Sequence, residues 1–396
     1  MERIFVTGLG VITAIGHSLE ENRLALAQGK CGIGKTELLN SRYTEHIPTG
    51  EIKIPDEAFM QRFGITRQGV NRTTLISLHA LKEAIDDAGL SAEMLSSEGT
   101  ALVTANTVGG MSFTDELYHD AHVQIHTRKP FLYDYVSHAT TDFLKDYFGI
   151  GGLANTINTA CSSSANAIIY AARLIQHGLA ERAIAGGGDC LSKFTVNGFH
   201  ALHILSPQQC RPFDKDRNGL NLGEGAAFVV LEKEKACNRK KVYAALSGFC
   251  NANDAYHPTA LSDEAEGPVR VMQGALLLSK LQPADIGFIN AHGTGTENND
   301  LVESRAILKV FPQPPPFGSS KANVGHTLGA SGTVEAVFSI LSLFYQELYP
   351  QPNFHAPIEE TGLTPVTTLR KVPFQHIMSN SFGFGGNCSS LIFSRV

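Results

Sequence analysis

Short apolar runs alternate with longer helical patterns from one end of the chain to the other, the pattern of a mixed α/β fold. Runs at 3–7, 100–104, 155–159, 183–186, 226–231, 242–248, 286–290, 376–381 and 389–394 predict strands. Between them, 71–89 sets Leu75, Leu78, Leu81, Ile85 and Ala88 at helical spacing and stops at Gly89. The stretch 162–177 is rich in Ala and Ile, as a buried helix is. Residues 332–346 carry Val334, Val337, Phe338, Ile340, Leu341 and Phe344 on nearly every side, which predicts a helix covered all round.

The charged run 232–241 reads as a solvated connector between two halves, 1–233 and 241–396, and the Pro-rich 312–316 reads as a surface loop. The halves rhyme. Each opens with an apolar strand (3–7; 242–248), and each later carries a strand, a turn of small residues and a helix (155–177; 286–309). Cys161 lies in the first such turn and His292 in the second, so two related halves facing each other would bring the two together.

Composition narrows the class. The chain has 396 residues, 43% hydrophobic and 18% charged, enough for a large core. A net charge of −6 argues against bulk nucleic-acid binding. The opening residues are too short for a signal peptide, and no apolar run reaches the roughly 20 residues of a membrane span. Seven scattered cysteines without a Cys-x-x-Cys predict neither a disulfide frame nor a zinc site, and a reducing cytoplasm. No ligand cluster for any metal is visible.

Against that background a few residues carry chemistry. Cys161 sits in Asn-Thr-Ala-Cys-Ser-Ser-Ser-Ala-Asn (158–166), between a strand and a helix pattern. A cysteine is more often a small core residue. Here every neighbour is small, and the helix start is expected to favour the thiolate. His292 precedes Gly293-Thr294-Gly295-Thr296, whose glycines allow close approach and whose hydroxyls suit a polar ligand tail; the Lys of a P-loop is missing. Lys321 and His326 lead into the apolar 332–346 helix, where Glu335 needs a partner and Lys321 is the natural one. The alternation of Gly and Phe in 380–387 predicts unusual backbone and an exposed amide.

Read in order, these segments resemble the elongating β-ketoacyl-acyl-carrier-protein synthases of the thiolase superfamily. The likeness runs from the opening Val-Thr-Gly-Leu-Gly-Val-Ile-Thr through Thr-Ala-Cys-Ser-Ser and Arg-Pro-Phe-Asp…Leu-Gly-Glu-Gly-Ala (211–226). It continues through Asp-Ala-Tyr-His (254–257), His-Gly-Thr-Gly-Thr…Asp (292–300), Lys-x4-His-x2-Gly-Ala-x-Gly and Asn-Ser-Phe-Gly-Phe-Gly-Gly-Asn. The resemblance implies a thiolase-like five-layer α-β-α-β-α fold built from two related halves, usually a homodimer, with a heterodimer with a synthase homologue as the other arrangement.

It further implies an acyltransferase that joins an acyl-enzyme thioester to malonyl-carrier by decarboxylative Claisen condensation. Cys161 would be the acylated nucleophile, and His292 and His326 the pair that drives decarboxylation, held by Lys321 and Glu335. The amides of Cys161 and Phe384 would form the oxyanion hole, with Phe384 and Phe382 at the gate. Thr294 and Thr296 would meet the phosphopantetheine arm, and His257, Thr259, Phe199 and Met111 would complete the substrate site. Arg62, Arg67, Arg128 and Lys129 would dock an acidic acyl carrier protein. No cofactor is implied on the synthase itself, since phosphopantetheine arrives on the carrier.

The chain departs from the family pattern at Phe199-His200-Ala201-Leu202-His203, where a basic residue is common. It also departs in 107–138, which is expected to line the acyl pocket and is more polar and aromatic (Tyr133, Asp134, Tyr135) than a plain alkyl chain needs. A dedicated aryl-polyene or polyketide-like pathway is therefore expected rather than bulk fatty-acid elongation. A biosynthetic thiolase would need a second cysteine in a Cys-x-Gly turn, whereas Cys388 is followed by Ser-Ser. An initiating synthase would carry Asn where His326 stands. A catalytically silent chain-length-factor partner would lack Cys161.

Overall fold

One ten-stranded sheet, made of two five-stranded halves of the same strand order, organises the computed structural model, which describes residues 3–123, 129–237 and 241–396. The first half supplies β1 (Ile4–Thr13), β2 (Thr100–Ala105), β3 (Ala154–Ile157), β4 (Arg182–Asp189) and β5 (Gly225–Lys233). The second supplies β6 (Ala244–Asn253), β7 (Ile286–Asn290), β8 (Phe317–Gly318), β9 (His376–Phe382) and β10 (Asn387–Ser394). The halves run β3-β2-β4-β5-β1 and β6-β10-β9-β7-β8. Counted outward from the join, each half places its first, fifth, fourth, second and third strand, with the same parallel and antiparallel pairings. The join itself is two residue pairs, Phe5 with Ala245 and Val6 with Ala244.

The helices that matter here are α1 (Arg72–Asp87), α2 (Ser163–Gln176), α3 (Lys193–Ala201), α4 (Glu266–Ser279), α5 (Glu297–Val310) and α6 (Ser331–Tyr345). Helix α1 covers one face of β1 and β5, and α4 covers one face of β6 and β10. Helices α2 and α6 pack on each other between the two halves of the sheet, which gives the five layers. Residues 331–343 of α6 are all buried. Each large side chain there, such as Val337, Ile340 or Leu343, contributes about 1.5–3 kcal/mol through burial. Phe344 is exposed at the helix end. The stretch Leu328–Tyr345 is long and apolar enough to cross a membrane, but it lies inside the core.

Two expectations change. Strand β1 continues to Thr13 instead of stopping at residue 7. Gly8 and Gly10 are not turn residues: α1 comes so close that a Cβ at Gly10 would stand 2.0 Å from the Ala80 carbonyl oxygen. The internal rhyme also pairs different segments. By sheet position, β3 matches β8, so the Cys161 turn corresponds to the turn with Lys321 and His326. The His292 turn follows β7 and corresponds to the one after β2. At two residues, β8 is too short to register as a hydrophobic run.

Candidate active site

Strand β3 ends at Ile157 and the chain turns sharply before α2. Ala160 is left-handed there (φ 53°), a conformation that costs an L-residue about 1–3 kcal/mol and persists when its surroundings fix it. The Ser163 amide donates to the Ala160 carbonyl, and the Thr159 amide to Ser163 Oγ. Asn387 Oδ1, from β10, accepts from Ser162 Oγ at 2.7 Å and Asn166 Nδ2 at 2.8 Å. The turn presents Cys161, 6% exposed, to a cavity.

His292 and His326 reach the same cavity from the second half, with ring centroids 5.5 Å apart and the rings nearly perpendicular. Lys321 Nζ donates to the His292 carbonyl at 2.7 Å and to His292 Nδ1 at 3.1 Å, and forms a close ion pair with Glu335. All of these groups are buried. A protonated Lys has donors alone, so His292 Nδ1 is an acceptor and its proton sits on Nε2. His326 Nδ1 accepts from the Leu328 amide at 3.2 Å, beside Ser331 Oγ at 2.9 Å, and its proton likewise sits on Nε2. Burial, followed by the Lys321 charge, holds both imidazoles well below the usual histidine range, so both are neutral.

The cavity is about 460 Å3. Of the residues the sequence singled out, Cys161, His292, His326, Phe382 and Phe384 line it, as do Thr294, Thr296, Thr259 and Phe199. Phe384 stacks on Phe199 with centroids 5.8 Å apart, and Phe382 stands 5.7 Å from His292. Thr294 and Thr296 join hydroxyls at 2.9 Å. His257 lies outside the lining, and its Nδ1 faces the Thr259 amide at 3.2 Å. Met111 packs in the same apolar cluster as Phe199 without reaching the cavity. None of the described residues of 107–138 lines it, contrary to expectation. Asp134 is instead buried with both carboxylate oxygens accepting from Arg67 Nη2, while Tyr133 is exposed.

The thiol also differs from expectation. Burial pushes the Cys161 thiol up to about 11, and the Phe384 amide and the Lys321 charge offset only part of this. Cys161 lies just before the N-terminus of α2, whose field favours the thiolate but is outweighed by burial. The resting site therefore holds a neutral thiol between neutral imidazoles. Alkylation of Cys161 by iodoacetamide is expected to keep accelerating from about pH 7 to about pH 10 as the thiolate fraction grows. A plateau near pH 7, followed by quantitative mass spectrometry, would contradict this.

Two buried acids support the His292 turn: Asp300 closes the His-Gly-Thr-Gly-Thr…Asp motif, whereas Glu303 has no motif of its own. Glu303, buried on α5, accepts the His292 and Gly293 amides at 2.9 Å each, and burial pushes its carboxyl up to about 7. Asp300, one turn earlier, accepts the Thr294 amide at 2.9 Å and the Phe213 amide at 2.8 Å. The readable signal was two acids three apart on a buried helix face, each of which needs donors.

The two described docking candidates have partners of their own. Arg67 is held by Asp134, and Arg62 contacts His79 Nδ1 at 3.3 Å. Arg128 lies outside the described residues, and only the backbone of Lys129 is described. Among the described residues, no group of three or more His, Cys, Asp or Glu side chains is placed to hold a metal ion.

Fold and cavity together define a class, and comparison agrees. Residues 1–236 match the family model for the N-terminal domain of beta-ketoacyl synthases and residues 243–355 the model for the C-terminal domain, so the chain belongs to the beta-ketoacyl synthase family. It is 31% identical to the 3-oxoacyl-[acyl-carrier-protein] synthase 2 of Vibrio harveyi, over 100% of this chain and 99% of that protein. It is 32% identical to the mitochondrial 3-oxoacyl-[acyl-carrier-protein] synthase of Arabidopsis thaliana, over 100% and 93%. Among solved structures, the ishigamide ketosynthase/chain length factor superposes with a TM-score of 0.92 at 26% identity, covering 100% of this chain and 99% of that one. A ketosynthase in complex with its chain length factor from Xenorhabdus doucetiae gives 0.86 at 30%, covering 100% and 98%.

Proposed function

We propose that the chain is a β-ketoacyl-acyl-carrier-protein synthase that extends a carrier-bound acyl chain by decarboxylative Claisen condensation. The observation that carries this reading is one thiol facing two neutral imidazoles, each with its proton on Nε2, in a single buried cavity. In the first stage Cys161 Sγ attacks the acyl thioester, the carrier thiolate leaves, and the thiol proton ends on it. The developing oxyanion is met by the amides of Cys161 and Phe384. In the second stage malonyl-carrier loses CO2. Its C–C bond electrons move into an enolate whose oxygen meets the His292 and His326 Nε2–H groups. The enolate carbon then attacks the acyl carbon and Cys161 leaves as thiolate, to be protonated again. Neutral imidazoles suit this step, because they stabilise the enolate without quenching it.

In this reading Thr294 and Thr296 hold the phosphopantetheine arm, Phe199 and Phe384 bound the acyl end, and Lys321 and Glu335 hold His292. The partner is an acidic acyl carrier protein, the enzyme works in the cytoplasm as a homodimer, and the halves 1–233 and 241–396 each fold around their own half of the sheet. Pairing with a chain-length-factor homologue is the second arrangement, favoured by the structural relatives that carry such partners. Because Cys161 and both histidines are present, this chain would be the catalytic member of the pair. The pathway we favour is aryl-polyene or polyketide-like. The test is intact-mass analysis of the protein with a panel of acyl-carrier thioesters. Preference for unsaturated or aryl chains is expected, and equal loading of saturated chains of every length would overturn the pathway.

A further inference from the structure

A buried carboxylate outside the set above points at the His326 turn. Asp189 ends β4 and has no exposed surface. Its Oδ1 accepts the Val108 amide at 2.8 Å. Its Oδ2 accepts the Thr107 hydroxyl at 2.6 Å and the Gly329 amide at 2.7 Å, and the Thr107 amide reaches both oxygens. Every partner is a donor, so the site fits a carboxylate; an amide of the same shape would turn an NH2 against N–H groups. Gly329 leaves no space for substitution, since a Cβ there would stand 2.7 Å from Asp189 Oδ2.

Leu328, between His326 and Gly329 in this turn, is left-handed at φ 53°. A leucine stays in that conformation when its neighbours over-determine it. Two hydrogen bonds do so: its own amide donates to His326 Nδ1, and the next amide, of Gly329, donates to Asp189. We propose that Asp189 is a positioning residue for the decarboxylation step: by holding Gly329 it keeps Leu328 left-handed, the Leu328 N–H on His326 Nδ1, and the His326 proton on Nε2 toward the substrate. The proposal rests on the ketosynthase reading. The same carboxylate anchors Thr107 and Val108, so the turn and the start of the 107–113 segment share one support.

The test compares wild type with Asp189→Asn and, separately, Gly329→Ala, in the full chain. Gly329→Ala keeps the Asp189 carboxylate but crowds it and Thr107 from the His326 turn, and so carries the same readout should Asp189→Asn not fold. Two half-reactions are timed: acylation of Cys161 by acyl-carrier, from intact mass, and CO2 release from malonyl-carrier. Decarboxylation is expected to fall roughly 10- to 100-fold, the scale of a misplaced catalytic group, with acylation within about twofold of wild type. Ser331 Oγ keeps one partner at His326 Nδ1, so the loss is partial. The 15N resonances of the His326 ring are expected to move from the Nε2-protonated pattern toward a mixture of tautomers. Equal losses in both half-reactions, or unchanged decarboxylation in a folded variant, would overturn the proposal. A wild type that no donor acylates sinks the ketosynthase reading itself, before any variant is compared.

Discussion

Cys161→Ala is expected to abolish acylation of the protein and to lower condensation at least about 10,000-fold, the scale seen when a covalent nucleophile is removed. The same variant should still release CO2 from malonyl-carrier, because the Nε2–H groups of His292 and His326 are placed by Lys321, Leu328 and Ser331 and not by the sulfur. Intact mass and CO2 release measure the two effects separately. Other cysteines offer no substitute. Burial pushes the Cys190 and Cys210 thiols up to about 12, and neither residue lines the cavity. An acyl adduct persisting on the variant would move the nucleophile elsewhere.

Lys321→Met is expected to damage both stability and turnover, by different routes. Lys321 and Glu335 form a fully buried pair, and removing one partner of such a pair costs about 3–5 kcal/mol. Even with its lysine, burial pushes the Glu335 carboxyl up to about 7, and its Oε2 has no hydrogen-bond partner among the described residues. Without the lysine this carboxyl is expected to take up a proton. The raised value also signs the pH effect: the Glu335 contribution to stability is fully present below about pH 4.5 and is lost as pH rises through about 7, where the buried carboxyl ionises. Turnover should fall roughly 100- to 1,000-fold, because His292 Nδ1 loses the donor that fixes its tautomer. The double variant Lys321→Met with Glu335→Leu separates the routes. Urea unfolding should show most of the stability returned, while turnover stays low. Recovery of turnover in the double variant would mean that the lysine serves stability alone.

The elements with strong patterns were legible in the chain. Helix α6 announced itself because every side is apolar, and β2, β5 and β7 lie within a residue or two of their apolar runs. What failed was information that sequence neighbours do not carry. The apolar run stops at residue 7 because Gly8 and Gly10 have no side chain to extend it, and their close contact with α1 lies some seventy residues away along the chain. The two-residue β8 is defined by its pairing with β7, and without it the halves were matched one strand out of step. The site shows the same division. Cys161, His292, Lys321 and His326 sit in recognisable turns, whereas Asp189 and Glu303 look like ordinary acids until their backbone donors are seen. The thiol was misjudged because the helix field could be read from the sequence and the burial that outweighs it could not.

The place of β1 at the centre of the molecule sets a constraint on how the protein is made. Ile4 pairs with Lys233, and Phe5 and Val6 pair again with Ala245 and Ala244. Strand β1 therefore waits, once made, for partners that emerge near the end of the first half, roughly 10 to 50 s later at ordinary elongation rates. Through that interval an apolar edge remains open on the nascent chain, and pairing must then close a very long loop. Overproduction that outruns chaperone capacity should thus deposit this protein as aggregates of unfinished first halves, and slower translation near residue 245 should raise the native yield.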